Sequence, residues 1–156
     1  MMITPAQFLA MVLLITAAAG LGRVITRRKH VQRLRLLAAK WKMHFSADDR
    51  FRLATKIAPR LPVPGAAGIR VVDLLYGIED QNYRYVFAAE YTTGVLRTKT
   101  SVRRVATFCE PRDAPPQESI AAAAAAPDGP LEFAPEELPL VQQYQHLLEK
   151  RGALKQ

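Results

Sequence analysis

Residues 83–92, YRYVFAAEYT, alternate with a period of two. Tyr83, Tyr85, Phe87, Ala89 and Tyr91 fall on one face, and Arg84, Val86, Ala88, Glu90 and Thr92 on the other. That period, with aromatic residues so enriched, predicts a β-strand rather than a helix. Glu79-Asp-Gln-Asn82 before it is a natural turn, and Ile69–Ile78 before that is a second strand-like run, rich in Val, Leu and Tyr. A polar connection around Gly94–Ser101 leads to a third, Val102–Cys109. Sequential strands with short links predict an antiparallel meander. A sheet of about three strands needs a cover to be stable.

The cover is expected just upstream. Ser46-Ala-Asp-Asp49 resembles a helix N-terminus, with Ser46 as the cap and Asp48 and Asp49 in the first turn, where the helix dipole favours anions. Phe51, Ala54 and Ile57 or Ala58 continue one face until Pro59, which predicts a helix over 47–58. Pro59, Pro62, Pro64, Gly65 and Gly68 then mark a loop. His44 and Asp48 stand four apart and raise the question of a metal site. Capping is the preferred role, because no third ligand is apparent and the pair straddles a helix break.

Further upstream the chain changes character within GLGRVITRRKH, residues 20–30. Ile3 to Gly22 carries no charge, and a helix of that length spans about 30 Å, the thickness of a bilayer's hydrocarbon core. Arg23, Arg27, Arg28, Lys29 and Arg33 follow at once. A cleaved secretory signal would place positive charge before its apolar core, and here it comes after. The order predicts a retained anchor with its basic flank in the cytoplasm and its N-terminus outside. Thr16 with Gly20, and Ala18 with Gly22, repeat small residues at a spacing that lets two spans approach closely as a homodimer.

Residues 24–45 are expected to continue as a basic helix. Val31, Leu34, Ala38, Trp41 and Phe45, widened by Leu37, form one stripe, which either packs on the downstream domain or lies on anionic lipid with Trp41 at the interface.

The net charge of +8 invites a nucleic-acid reading, but its distribution argues otherwise. Residues 1–60 hold 12 Lys/Arg against two acids, and residues 61–156 hold 10 against 12. The basicity belongs to the flank of the apolar run, which suits a membrane surface, and no nucleic-acid partner is expected.

Downstream, residues 111–134 read as a flexible linker rich in Pro and Ala, including six consecutive alanines. Pro135-Glu-Glu then opens an amphipathic helix over 135–153, whose stripe of Leu138, Val141, Tyr144 and Leu148 either folds back on the domain or binds a partner.

Signs of chemistry are few. Cys109, the one cysteine, makes no internal disulfide and reads as a small buried hydrophobe. Asp73 is unusual inside an apolar strand and is expected to pair across the sheet with Arg84 or Arg104. The aromatic row on the central strand reads as core rather than as a stacking platform. The sequence has no nucleophile elbow, P-loop, GxGxxG, CxxC or HExxH, so no enzyme, metal or cofactor is expected.

One span, RLRLLAAKWKMHFSADDRFRL, an LPVPG loop, the YRYVFAAEYTTG strand and the VATFCEP strand together resemble a group of small single-span bacterial membrane proteins of uncharacterised function, of planctomycete type. The resemblance covers residues 1–112. It implies residence in the bacterial inner membrane and carries no catalytic residues.

The expectation is therefore an α+β protein: a transmembrane anchor (1–25), a basic juxtamembrane helix (26–45), a small α+β domain (46–110), a linker (111–134) and a C-terminal helix (135–153). Its expected partners are the lipid bilayer and a protein, or a second copy through the span. The functional expectation is a cytoplasmic interaction module, as an accessory or scaffold subunit of a membrane complex. The alternative is a domain that senses a ligand or anionic lipid at the membrane surface.

Overall fold

A computed structural model describes residues 5–61, 66–94, 99–112 and 131–152. The chain divides into two units, Met1–Arg33 and Leu34–Gln156. One helix, α1 (Pro5–Lys40), supplies all of the described part of the first unit and the opening of the second. Pro5 occupies its first turn, where the missing N–H is no loss.

The basic helix stops at Lys40, not at residue 45. Lys42 takes a left-handed backbone, φ 54°. The Lys42 N–H donates to the Ala39 carbonyl at 3.2 Å, and the Met43 N–H to the Ala38 carbonyl at 2.8 Å. This pair of bonds is a Schellman cap, which usually has glycine where Lys42 stands. Without a glycine to mark it, the end of the helix is hidden in the sequence. The residues beyond it, His44–Asp48, form strand β1.

The second unit holds a five-stranded antiparallel sheet in sequential order, β1 to β5. The three expected strands are present and longer: β2 (Ala67–Glu79), β3 (Asn82–Thr93) and β4 (Thr100–Pro111). β1 pairs with β2 from His44↔Tyr76 to Asp48↔Val72. β5 (Glu132–Phe133) pairs with Ala106 and Thr107 of β4. Glu132–Phe133 therefore belong to the sheet and not to a linker, and residues 113–130 of that expected linker lie outside the described residues. Asp80 and Gln81, at φ 49° and 67°, make the two-residue turn between Glu79 and Asn82. Two consecutive left-handed residues match the right-handed twist of the strands they join.

The capping helix is also relocated. Ser46 sits in β1, and its hydroxyl donates to the Asp48 carbonyl at 2.9 Å. The helix behind it, α2, covers only Leu53–Ile57, followed by a 3-10 turn over Ala58–Arg60. Its cap is Asp49, whose carboxylate accepts the Leu53 N–H at 2.8 Å and the Ala54 N–H at 2.9 Å. Left-handed Arg52, φ 53°, turns the chain so that a side chain four residues back reaches these amides.

Both sheet faces are buried. Tyr85, Phe87, Ala89 and Tyr91 of β3 form a core with Leu53 and Ile57 of α2. Val86 and Ala88 face the other way and pack with Leu34 and Ala38 of α1 and with Tyr144, Leu147 and Leu148. The last three belong to the C-terminal helix α3 (Leu140–Gly152), which begins five residues later than expected. Pro139 and the irregular 134–139 segment precede it, and the Gln143 N–H opens the helix on the Pro139 carbonyl at 3.0 Å.

β2 explains why its sequence does not alternate. Val72 pairs with Ala88 and Leu75 with Val86, so Asp73 and Leu74 together oppose Phe87. This bulge gives Val71 and Leu74 to one core and Val72 and Leu75 to the other. A second bulge, at Gly68 (φ 63°), opposes Tyr91.

The cap on α1 makes a direct prediction. Lys42→Gly removes a Cβ from a left-handed position and should stabilise the domain by about 0.5–1 kcal/mol. Urea denaturation of the detergent-solubilised chain checks this, and an unchanged or lower midpoint would show that Lys42 carries no such penalty.

Candidate functional site

Two surfaces bear on function. The first is the part of α1 within Met1–Arg33. Its large apolar side chains from Phe8 to Ile25 are open to the surroundings, from 41% exposed at Val12 to 72% at Leu14. Its hydroxyls are satisfied within the helix. Thr16 Oγ1 donates to the Val12 and Leu13 carbonyls at 2.9 Å, and Thr26 Oγ1 donates to the Gly22 carbonyl at 2.8 Å. A helix whose backbone and hydroxyl groups need no water is the form a chain takes in hydrocarbon. Among the described residues, α1 is the one helix long and apolar enough to cross a membrane. Gly20 and Gly22 have nothing near the position of a Cβ. Arg23, Arg27, Arg28, Lys29 and Arg33 are all exposed, and no acid occurs anywhere before Asp48.

The second surface is the seam where α3 meets the sheet. Leu140, Gln143, Tyr144, Leu147 and Leu148 recur at helical spacing and make the inward face. Polar links also cross the seam. The Tyr144 hydroxyl donates to the Asp73 carbonyl at 2.8 Å. The Val105 N–H donates to Gln143 Oε1 at 3.3 Å, and Gln143 Nε2 donates to the Leu138 carbonyl at 2.7 Å. Arg84, only 4% exposed, reaches the Leu147 carbonyl with Nη2 at 2.8 Å and Glu79 with Nη1 at 3.0 Å.

These positions correct several expectations. Asp73 pairs with Arg103 at 2.6 Å, not with Arg84 or Arg104, because left-handed Asp73 (φ 52°) is the inserted residue of the bulge. Glu90 joins the same guanidinium at 3.4 Å, while Arg104 goes to Glu136 at 2.9 Å. Trp41 is half-buried. It follows the end of α1 and packs with Leu37, Met43 and Phe45 against the α3-side core. The C-terminal stripe is shifted: Tyr144 and Leu148 are buried in the domain, and Leu138 and Val141 are only half-buried. Leu147 and Gln143 escaped the sequence reading because the helix begins at Leu140, which rotates the inward face by one residue.

His44 and Asp48 lie on one strand, about 13 Å apart at the usual rise. His44 instead lies against Tyr76, ring centres 5.4 Å apart. Among the described residues no group of three or more His, Cys, Asp or Glu is placed to hold a metal. The aromatic row is interior, with Tyr85, Phe87, Tyr91 and Phe108 all buried. Cys109 is half-buried on β4. No family model, curated protein or solved structure matches the chain.

Burial raises the pKa of Tyr144 well above the ordinary 10.0, and the Asp73 charge adds to the effect against the opposing pull of Arg103. Burial, then Glu110, also raises that of Tyr85. Below pH 10 both phenols are neutral whether the chain is folded or not. Above it the unfolded chain gains charge that the folded one resists, so stability is present below about pH 10 and falls as pH rises. Tyr144→Phe should cost about 1–2 kcal/mol at neutral pH and flatten this alkaline decline. Urea midpoints across pH 8–11 read both effects. A decline as steep in the variant as in the parent would assign it to other groups.

Proposed function

We propose that this chain is a single-span protein of the bacterial inner membrane, with its N-terminus outside and its α+β domain at the cytoplasmic face. There the domain serves as an interaction module, an accessory or scaffold subunit of a membrane complex. The observation that carries this reading is the pairing of an exposed, uncharged helix with a flank holding five basic residues and no acid. Apolar length suits the bilayer, and basic residues on one side only favour retention of that side in the cytoplasm.

The rival reading, a sensor at the membrane surface, divides in two. A ligand stacked on the aromatic sheet face is disfavoured, since α2 and its core cover that row. An anionic-lipid role keeps its support in the basic flank. For the interaction role, the span itself offers one contact surface, where Gly20 and Gly22 leave room for a second helix to approach.

Protease treatment of spheroplasts carrying a C-terminally tagged chain tests the topology. The tag should survive in intact spheroplasts, be cut after lysis, and remain with the membrane through alkaline carbonate extraction. Cleavage in intact spheroplasts would reverse the orientation, and release by carbonate would remove the anchor. Blue-native electrophoresis after mild detergent extraction tests the module. It should run above the monomer–micelle position, and migration as a monomer would count against the subunit role.

A further inference from the structure

We infer that Arg27, Arg28 and Lys29 form a collar that binds anionic phospholipid headgroups of the bilayer that α1 crosses, a partner that rests on the membrane-anchor reading above. The geometry has two parts. In the first, α1 turns by about 100° per residue, so these three side chains leave the helix in directions about 100° apart, and Arg23 and Arg33 fill the remaining arc. The charge therefore surrounds the helix. A protein partner or a nucleic-acid groove meets a helix on one side, whereas a headgroup layer surrounds it.

The second part is depth. Val24 and Ile25 are the last exposed large hydrophobics before the basic cluster, and the apolar helix that ends there is long enough for the roughly 30 Å of a hydrocarbon core. Arg23 lies inside that length and can extend its guanidinium to the interface. Arg27 to Lys29 lie about 3–6 Å beyond Ile25, within the roughly 5–7 Å that the headgroups of one leaflet occupy. Arg33 lies about 12 Å beyond Ile25, outside that layer. All five side chains are exposed, and among the described residues none makes an ion pair. An acid-free flank leaves lipid phosphate as the nearest source of compensating charge. Guanidinium groups suit it, because they bind phosphate oxygens in pairs.

The test uses the full chain reconstituted in phosphatidylcholine bilayers with a trace of spin-labelled phosphatidylglycerol or spin-labelled phosphatidylcholine. Electron paramagnetic resonance reads the fraction of each label held at the protein. Phosphatidylglycerol should be enriched at least about two-fold over phosphatidylcholine, and the excess should shrink as salt is raised. Arg27→Gln/Arg28→Gln/Lys29→Gln should abolish it. Arg28→Gln should lower it more than Arg33→Gln, although each removes one charge. Equal restriction of both lipids in a chain that has inserted would overturn the collar and leave the anchor standing. Equal effects of the two single variants would replace the collar with a diffuse charge effect. Failure of the chain to insert would overturn the anchor reading and the collar together.

Discussion

The bulge at Asp73–Leu74 is the constraint on which the domain depends. A regular β2 would send alternate residues to opposite faces, and its sequence, Val71-Val-Asp-Leu-Leu75, would put Asp73 into the same core as Val71 and Leu75. One inserted residue resolves this. It gives each core a Val and a Leu and carries the Asp73 carboxylate out to Arg103. It also presents the Asp73 carbonyl to the Tyr144 hydroxyl, so the irregularity in the sheet is the point where the last helix is fixed. A left-handed backbone is least costly for Asp, Asn and Gly, and an aspartate here meets both the backbone and the charge requirement.

α3 serves a second purpose at the sheet edge. β4 is a long strand, and β5 pairs with only two of its residues. The next residue along, Val105, has both backbone groups satisfied: its carbonyl accepts the Ala134 N–H at 2.9 Å, and its N–H is taken by Gln143. A side-chain amide thus extends the ladder where the strand stops. Covering an edge in this way removes a template for unwanted strand pairing. At the opposite edge β1 is five residues long, and such short edge strands limit the same hazard.

What could be read from the sequence follows from how local each signal is. The alternation in β3, the turn at Asp80–Gln81 and the apolar run of α1 are set by neighbouring residues, and all three lie where their patterns put them. Three of the misplaced features share one cause. Lys42, Arg52 and Asp73 take left-handed backbones at residues that do not announce it, and each redirects the chain. Lys42 turns the expected tail of a helix into β1, Arg52 lets Asp49 replace Ser46 as the cap, and Asp73 changes its own partner. The expected stripe of Val31, Leu34, Leu37, Ala38, Trp41 and Phe45 crosses the end of the helix. All of its residues except Val31 reach the same core.

The two units dispose of apolar surface in opposite ways, and this bears most directly on what the protein does. In Leu34–Gln156 the sheet is covered on both faces, and among the described residues only Leu36 and Ile78 are large exposed hydrophobics. Among the described residues of Met1–Arg33 ten large hydrophobics are exposed, from Phe8 to Ile25. At about 25 cal/mol per Å² of apolar area, water is a costly surround for such a helix. Its Thr16 and Thr26 hydroxyls are bonded within the helix. A continuous apolar surround of about 30 Å is what a bilayer supplies, and the basic residues begin where that length ends. Among the described residues, the domain's two closed cores leave little apolar surface outside α1.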